Sequence, residues 1–158
     1  MIKPAFSIPS MSEVEATPKN GLNVISLFSG CGGSSLGYRM AGYNILLANE
    51  FMPAAQEVYE LNKSPDTILD KADIRKVNAE SLLMQTGLQK GELDLLDGSP
   101  PCSSFSVSGN REKDWGEVKH YSDTNQRTDD LFIEFIRLVN GVQPKVFVAE
   151  NVYGLIMG

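Results

Sequence analysis

The sequence predicts an α/β fold in which a mostly parallel sheet carries helices on both faces. Short β-type runs alternate with helical segments along the chain, which is typical of a parallel sheet with crossover helices. The β-type runs are apolar almost throughout, as expected when both faces of a sheet are covered. Glycines, acids and a Pro-Pro-Cys segment follow these runs directly, and ligands of parallel sheets bind at the carboxyl ends of the strands.

Five strands and four helices are predicted along the chain. The strands are expected at residues 23–28, 44–49, 67–69, 93–96 and 145–149. The helices are expected at residues 34–41, 53–62, 78–88 and 129–141. The last helix has apolar residues around much of its circumference, which predicts that it is well buried.

Residues with known positional preferences mark the ends of these helices. Gly42 suits the position just after the first helix, and Pro53 suits the first position of the second. Asn78 and Asp129 are expected to cap the starts of the third and fourth helices. Gly141 is expected to end the fourth.

Two segments lack an apolar period. Residues 1–20 are interpreted as a flexible leader, and residues 21–158 as the folded part. Residues 103–128 are polar and are predicted to form a loop. Structureless loops longer than about 12–15 residues are usually functional or disordered, so this loop becomes a candidate functional element.

Composition excludes several classes of protein. The 158 residues fit one domain, and a hydrophobic fraction of 42% argues against a disordered chain. No apolar run approaches the ~18 residues of a membrane helix, and no signal peptide is apparent. One histidine and two cysteines cannot supply the roughly four ligands of a zinc site, so no metal is expected. The net charge of −6 argues against a self-sufficient nucleic-acid binder.

A glycine-rich turn after the first strand predicts a nucleotide-type cofactor. Glycines at this turn let a ligand approach the backbone closely, and Glu50 lies twenty residues after Gly30, at the end of the second strand. An acid there can accept hydrogen bonds from a ribose. Both dinucleotides and S-adenosylmethionine use this arrangement, although Ser35 departs from the dinucleotide fingerprint. A tight turn without a ligand is the alternative. Asp73 taken alone is better interpreted as an exposed loop acid, and it becomes a candidate only because it ends the third strand.

Cys102 and Glu150 are the candidate chemical groups. Cys102 follows two prolines at a strand end, which suits a rigidly held nucleophile, while a buried structural cysteine is the alternative. A pairing of Cys102 with His120 has little support. Glu150 directly follows the fifth apolar run, where a carboxylate is costly unless it is paired or functional. A surface acid just beyond the strand is the alternative. The Cys31 side chain is interpreted as a small group in the turn.

Taken together, these motifs resemble those of the DNA cytosine-5 methyltransferase family. The resemblance covers about residues 22–158 and rests on six motifs in the family's order. They lie at residues 26–33, 49–51, 73–74, 99–106, 131–132 and 150–152. Ser103 departs from the pattern, because the family usually has Gln after the cysteine.

The resemblance implies a Rossmann-like fold that binds S-adenosylmethionine and releases S-adenosylhomocysteine. Phe28 and Ile74 would pack on the adenine, helped by Phe51 and Leu131. Glu50 would bind the ribose hydroxyls. The remaining cofactor residues implied are Asp73 at the adenine amino group, Gly30, Cys31, Gly32 and Gly33 with their backbone at the methionine end, and Pro101.

The resemblance also implies a mechanism. Cys102 would attack C6 of a cytosine flipped out of the duplex, because the target atom cannot be reached within the base stack. Glu150 would hydrogen-bond the N3 side of that base. The loop at residues 103–128 would close over it and exclude water.

Family members continue well beyond the Glu-Asn-Val motif, so the fold is expected to be truncated after the fifth strand and to lack a target-recognition domain. The expected partners are double-stranded DNA and either a complementing C-terminal chain or a second copy at the open sheet edge. The resemblance further implies a cytoplasmic enzyme, nucleoid-associated if the source is bacterial. Its setting in a restriction–modification system, a phage or a host regulatory pathway stays open. No membrane association is expected.

Three alternatives stay open at this point. The chain could be a cofactor-binding subunit or inactive remnant, since half of the expected domain is missing. A related tRNA cytosine-5 methyltransferase would have the same motifs. A nicotinamide-dependent oxidoreductase is disfavoured by Ser35.

Overall fold

The computed structural model describes residues 9–101, 119–121, 124–126 and 130–151. Its main sheet has five strands, all parallel, which confirms the predicted α/β class. In spatial order the strands are β3 (Ile68–Asp70), β2 (Asn44–Asn49), β1 (Asn23–Leu27), β4 (Leu95–Gly98) and β7 (Val146–Ala149). A separate antiparallel pair is formed by β5 (Lys119–Tyr121) and β6 (Thr124–Gln126).

Helices cover both faces of the main sheet. They are α1 (Met11–Glu15), α2 (Gly33–Met40), α3 (Pro53–Asn62), α4 (Ala79–Thr86) and α5 (Leu131–Val142), with a 3₁₀ turn at Ile74–Lys76. Neighbouring residues of β1 point to opposite faces. Val24 therefore packs with Tyr38 of α2, whereas Ile25 packs with Leu82 of α4 and Phe135 of α5. None of the described helices is long and apolar enough to cross a membrane.

The predicted helix starts are confirmed where local chemistry defines them. Pro53 occupies the first position of α3, where its missing N–H costs nothing. The Asn78 side chain accepts a hydrogen bond of 2.6 Å from the Ser81 N–H and thereby caps α4. Asp129 lies outside the described residues, and Asp130, which precedes α5, makes no side-chain cap.

The prediction that Gly141 ends the last helix was wrong, because α5 continues to Val142. A Cβ on Gly141 would collide with the Ala79 side chain of α4. The glycine therefore allows α4 and α5 to pack closely rather than ending α5. The residue that caps the end of α5 is Gln143, directly after Val142, and it adopts a left-handed φ of 52°.

Two other segments contain elements that the periodicity did not predict. Part of the predicted loop forms the β5–β6 pair, where short polar strands carry no alternating apolar pattern to detect. Within the predicted leader, residues 11–15 form α1, and the Ser10 side chain caps it together with Glu13. Val14 of α1 is fully buried, so this part of the leader packs on the domain.

Gly98 is a second glycine required by packing. A Cβ at this position would collide with the Phe135 ring, since β4 and α5 are in close contact there. We expect Gly98→Ala to lower the free energy of unfolding by about 1–3 kcal/mol, the usual cost of overpacking a core. Gly37→Ala in α2 is the matched control, because a Cβ there meets nothing and should be neutral or slightly stabilising. Equal urea midpoints for the two variants would contradict this account.

Candidate active site

A cavity of about 140 Å³ lies at the carboxyl ends of β1 and β2. It has an apolar wall, a single carboxylate and the first turn of α5 at one side. Its lining residues are Phe28, Asn49, Glu50, Phe51, Met52, Ile74, Ser99, Pro101 and Leu131. Six of these were predicted as cofactor-binding residues from widely separated motifs, and the fold brings them to one place.

Phe28 lies in this cavity with an unusual backbone conformation. Its φ is 52°, a left-handed value that is rare for a bulky residue. The next residue, Ser29, donates its N–H to the Asn49 carbonyl at 3.0 Å, which fixes the chain as it leaves β1. Strain of this kind is retained where the surrounding structure imposes it, and it often marks a functional turn.

The Glu50 carboxylate links the glycine-rich turn to the start of α3. One oxygen accepts the Gly30 N–H at 2.8 Å, and the other accepts the Met52 N–H at 2.6 Å. Glu50 is only 8% exposed, so these hydrogen bonds hold it in one orientation. The Gln56 side chain also donates to the Glu50 carbonyl at 2.8 Å. A carboxylate oriented in this way can accept further hydrogen bonds from a ligand.

Asp73 lies beside the cavity but does not line it. Its carboxylate accepts the Arg75 N–H at 3.0 Å and lies 3.4 Å from Nη1 of Arg75. Arg75 also donates to both carboxylate oxygens of Asp130, at 3.1 and 2.7 Å. This bidentate pair ties the turn after β3 to the start of α5, and the pKa of Arg75 is raised, chiefly by its hydrogen bond to Asp130.

The glycine-rich turn is divided between two places. Gly30 donates to Glu50 at the first cavity, whereas Cys31, Gly32 and Gly33 line a second cavity of about 280 Å³. Gly32 adopts a φ of 93°, and a Cβ there would lie 3.0 Å from the Tyr59 ring. A side chain at this position would therefore be both strained and crowded.

Of the two predicted catalytic residues, the structure describes Glu150 but not Cys102. Cys102 lies outside the described residues, although Pro101, directly before it, reaches the first cavity. Glu150 is exposed, as the alternative of a surface acid just beyond the strand has it. Its N–H donates to the Gly98 carbonyl at 3.1 Å, and the Asn151 side chain donates to the Pro100 carbonyl at 3.3 Å. The end of β7 is thereby held against the segment that leads to Cys102.

A buried carboxylate that the sequence analysis did not identify joins β4 to α2. Asp97 is 4% exposed, and its two oxygens accept hydrogen bonds from Ser26 at 3.1 Å and from Tyr38 at 3.2 Å. Burial raises the pKa of Asp97, and these hydrogen bonds oppose the rise only in part. Burial and the nearby Asp97 charge raise the pKa of Tyr38 to about 12.

The raised pKa of Asp97 predicts a pH-dependent stability. Because the folded state binds the Asp97 proton more tightly than the unfolded state, protonation of Asp97 stabilises the fold. This contribution to the free energy of unfolding is complete below the unfolded pKa of about 4 and is lost as the pH rises through the folded pKa. The unfolding free energy of the wild type, relative to Asp97→Asn, should therefore fall as the pH rises from about 4 through the raised folded-state pKa of Asp97. Asp66→Asn, at an exposed carboxylate, is the control. A difference that stays constant with pH would contradict the assignment.

The described residues contain no group of three His, Cys, Asp or Glu side chains that could hold a metal ion. The side chains that line the first cavity have the chemistry that a nucleoside requires. Phe28, Ile74 and Leu131 offer apolar surface to a flat base. The oriented Glu50 carboxylate beside them offers acceptors to ribose hydroxyls.

Comparison with known sequences points to one family. A profile described as C-5 cytosine-specific DNA methylase matches residues 22–157. The chain is 37% identical over 135 residues to the type II methyltransferase M.DdeI of Desulfomicrobium norvegicum, covering 85% of this chain and 29% of that protein. It is 36% identical over 137 residues to M.AquIA of Picosynechococcus, covering 84% of this chain and 49% of that protein. The chain thus spans less than half the length of these curated relatives.

Solved structures agree with this result. A DNA modification methyltransferase encoded within an E. coli prophage superposes with a TM-score of 0.66 and 32% identity, over 86% of this chain and 33% of that one. A Spodoptera frugiperda DNMT2 structure has a TM-score of 0.61 at 24% identity, over 87% of this chain and 38% of that one, and supports the fold alone. The chain belongs to the C-5 cytosine-specific DNA methylase family.

Proposed function

We propose that this chain supplies the cofactor-binding and catalytic part of a DNA cytosine-5 methyltransferase. The observation that carries the proposal is the meeting of two features at one sheet edge. The first cavity with its oriented Glu50 lies there, and Pro101, the residue before Cys102, is one of its lining residues. A methyl donor in that cavity would lie beside Pro101, which directly precedes the proposed nucleophile in the sequence.

The cofactor is S-adenosylmethionine, which supplies the methyl group when bound and is left as S-adenosylhomocysteine. Phe28, Ile74 and Leu131 would enclose the adenine, and Glu50 would accept hydrogen bonds from the ribose hydroxyls. Phe51 lines the same cavity. The Asp73 carboxylate would accept a hydrogen bond from the adenine amino group, and the Arg75 N–H would hold that carboxylate in place.

The nucleophile in this proposal is the Cys102 thiolate. It adds to C6 of a flipped cytosine, and the electrons of the C5–C6 double bond make C5 nucleophilic. After C5 is methylated, a base removes the C5 proton, the double bond re-forms and the thiolate leaves. Glu150 hydrogen-bonds the N3 side of the base and stabilises the charge that develops there. Its exposure leaves it accessible to a substrate.

The exposed strand at one edge of the main sheet suits a partner chain. β7 is the last strand at its end of the sheet, and Val146, Phe147 and Val148 are 40–55% exposed. Exposed apolar side chains on an edge strand favour pairing with another chain. We expect concentration-dependent association in sedimentation, weakened by Phe147→Asp. A clean monomer that binds no hydrophobic dye would contradict this expectation.

The proposal is tested by titrating the chain with S-adenosylhomocysteine in a calorimeter, with NAD as competitor. Binding that NAD does not displace supports a methyltransferase pocket and counts against the oxidoreductase alternative. Absence of binding by the folded chain would overturn the cofactor assignment.

A second candidate function is a cofactor-binding subunit without activity of its own. The same exposed β7 edge favours it, because exposed apolar side chains on an edge strand suit contact with a partner subunit. In that case the chain binds S-adenosylhomocysteine, but Cys102→Ala leaves the methyl transfer of the assembled enzyme unchanged.

A further inference from the structure

Two residues that line the first cavity each lie next to one member of an ion pair. Ile74 of the 3₁₀ turn directly precedes Arg75, and Leu131, the first residue of α5, directly follows Asp130. The two members of the pair are 55 positions apart in the sequence. The Arg75–Asp130 pair therefore connects two separate elements of the cavity wall.

The geometry of this pair defines an orientation as well as a distance. Nε of Arg75 donates to Oδ2 of Asp130 at 3.1 Å, and Nη2 donates to Oδ1 at 2.7 Å. The two side chains are 27% and 41% exposed, so water weakens the attraction between their charges. Two parallel hydrogen bonds still fix how the guanidinium and the carboxylate lie relative to each other, which a single contact cannot do.

Arg75 also holds the residue on the other side of Ile74. Its N–H donates to Oδ1 of Asp73 at 3.0 Å, and its Nη1 lies 3.4 Å from the same oxygen. The guanidinium thus bridges the carboxylates of Asp73 and Asp130. Ile74 is enclosed within this bridged segment, so its position depends on the bridge.

A second arginine attaches the same turn to α5 at a point farther from the cavity. Nη2 of Arg137 donates to the Ile74 carbonyl at 3.1 Å and to the Val77 carbonyl at 2.8 Å. Arg137 lies nearly two turns beyond Leu131 along α5. The packing of the turn on α5 therefore does not depend on Arg75 alone, and the Arg75–Asp130 pair adds an attachment at the cavity itself.

We propose that Arg75 is a positioning residue for the base-binding part of the first cavity, acting through Asp130 and Asp73. Its hydrogen bonds fix the separation of Ile74 and Leu131, which enclose the base in the proposed function, on which this inference rests. Binding groups must be held close to their productive geometry by the contacts behind them. A flat base can contact both walls only when their separation is correct.

The ribose contact is supported independently of Arg75. The Glu50 carboxylate is oriented by N–H groups of the glycine-rich turn and of the residue before α3. Neither group belongs to the 3₁₀ turn or to α5. Loss of the Arg75–Asp130 pair should therefore weaken binding of the base and leave binding of the ribose unchanged.

The test compares S-adenosylhomocysteine with S-ribosylhomocysteine, which has the same ribose and homocysteine but no base. Each is titrated into the purified wild type, Arg75→Met and Asp130→Asn, and NMR titration measures dissociation constants into the millimolar range. We expect the affinity for S-adenosylhomocysteine to fall about fivefold or more in both variants. The affinity for S-ribosylhomocysteine should stay the same.

Three further variants make the test specific, with circular dichroism confirming that each is folded. Lys76→Met removes an exposed cation from the same turn and should change neither affinity. The double variant of Arg75→Met and Asp130→Asn should bind no more weakly than Arg75→Met alone, because both substitutions remove the same pair. Arg75→Lys should recover only part of the affinity, since a lysine cannot form the fork.

The outcomes separate this inference from the proposed function. Equal losses of both ligands in folded variants would show that the pair supports the whole domain, and would overturn the inference. Unchanged S-adenosylhomocysteine affinity in Arg75→Met, or full recovery in Arg75→Lys, would overturn it too. In these cases the wild type still binds S-adenosylhomocysteine, so the proposed function stands. Failure of the wild type to bind S-adenosylhomocysteine would overturn both.

Discussion

Replacing Glu50 with alanine should weaken S-adenosylhomocysteine binding by at least about a hundredfold. The carboxylate is 8% exposed and oriented by two backbone N–H groups, so it presents fixed acceptors to the ribose. Two hydrogen bonds to a charged acceptor are worth roughly 1.5–3 kcal/mol each, which corresponds to a loss of this size or more. Calorimetric titration measures the effect directly.

The structural part of the Glu50→Ala effect can be separated from the ligand part. Alanine also leaves the Gly30 and Met52 N–H groups without the carboxylate, so the unfolding free energy should fall by about 1–3 kcal/mol. Circular dichroism at the titration temperature must therefore show a folded variant. Glu57→Gln, an exposed acid on α3, is the control. A folded Glu50→Ala protein with unchanged affinity would contradict the proposed ribose contact.

Replacing Cys102 with alanine should abolish methyl transfer while leaving cofactor binding intact. The thiolate forms the bond to C6 that activates C5, and loss of a covalent nucleophile commonly costs at least about 10⁴-fold in kcat. The assay needs a complete enzyme, for which a chimaera is suitable, with this chain replacing the matching 29% of M.DdeI. Retained turnover in Cys102→Ala would remove Cys102 as the nucleophile.

Much of the fold could be predicted because single residues determine local structure. Pro53 and Asn78 mark helix starts through their own backbone and side-chain chemistry. Gly141 misled the prediction because its function is tertiary: it makes room for Ala79, and no local signal distinguishes that from a helix end. α1 was missed for a related reason. It depends on a Ser10–Glu13 capping box and on a single buried contact at Val14, rather than on an apolar period.

The grouping of predicted residues around the first cavity was predictable because motif order in a parallel sheet determines which residues meet at the strand ends. The contacts that support this cavity could not be predicted from the sequence. The Arg75–Asp130 pair joins residues 55 positions apart, and Asp97 is buried only because Tyr38 of α2 packs over it. Arg39 also looks like an ordinary surface cation in the sequence, yet it is buried and its Nη1 donates to the Asn62 carbonyl at 2.6 Å. Side chains of this kind acquire partners only through the tertiary arrangement.

The most direct test of the central claim is the identity of the methylated base. The chimaera with M.DdeI would be incubated with methyl-labelled S-adenosylmethionine and unmethylated DNA, and the DNA then digested to nucleosides. We expect the label in 5-methylcytosine, and its loss in Cys102→Ala. Label on an exocyclic amino group, or no label from a chimaera that binds both S-adenosylhomocysteine and DNA, would contradict the claim that this chain carries out cytosine C5 methylation.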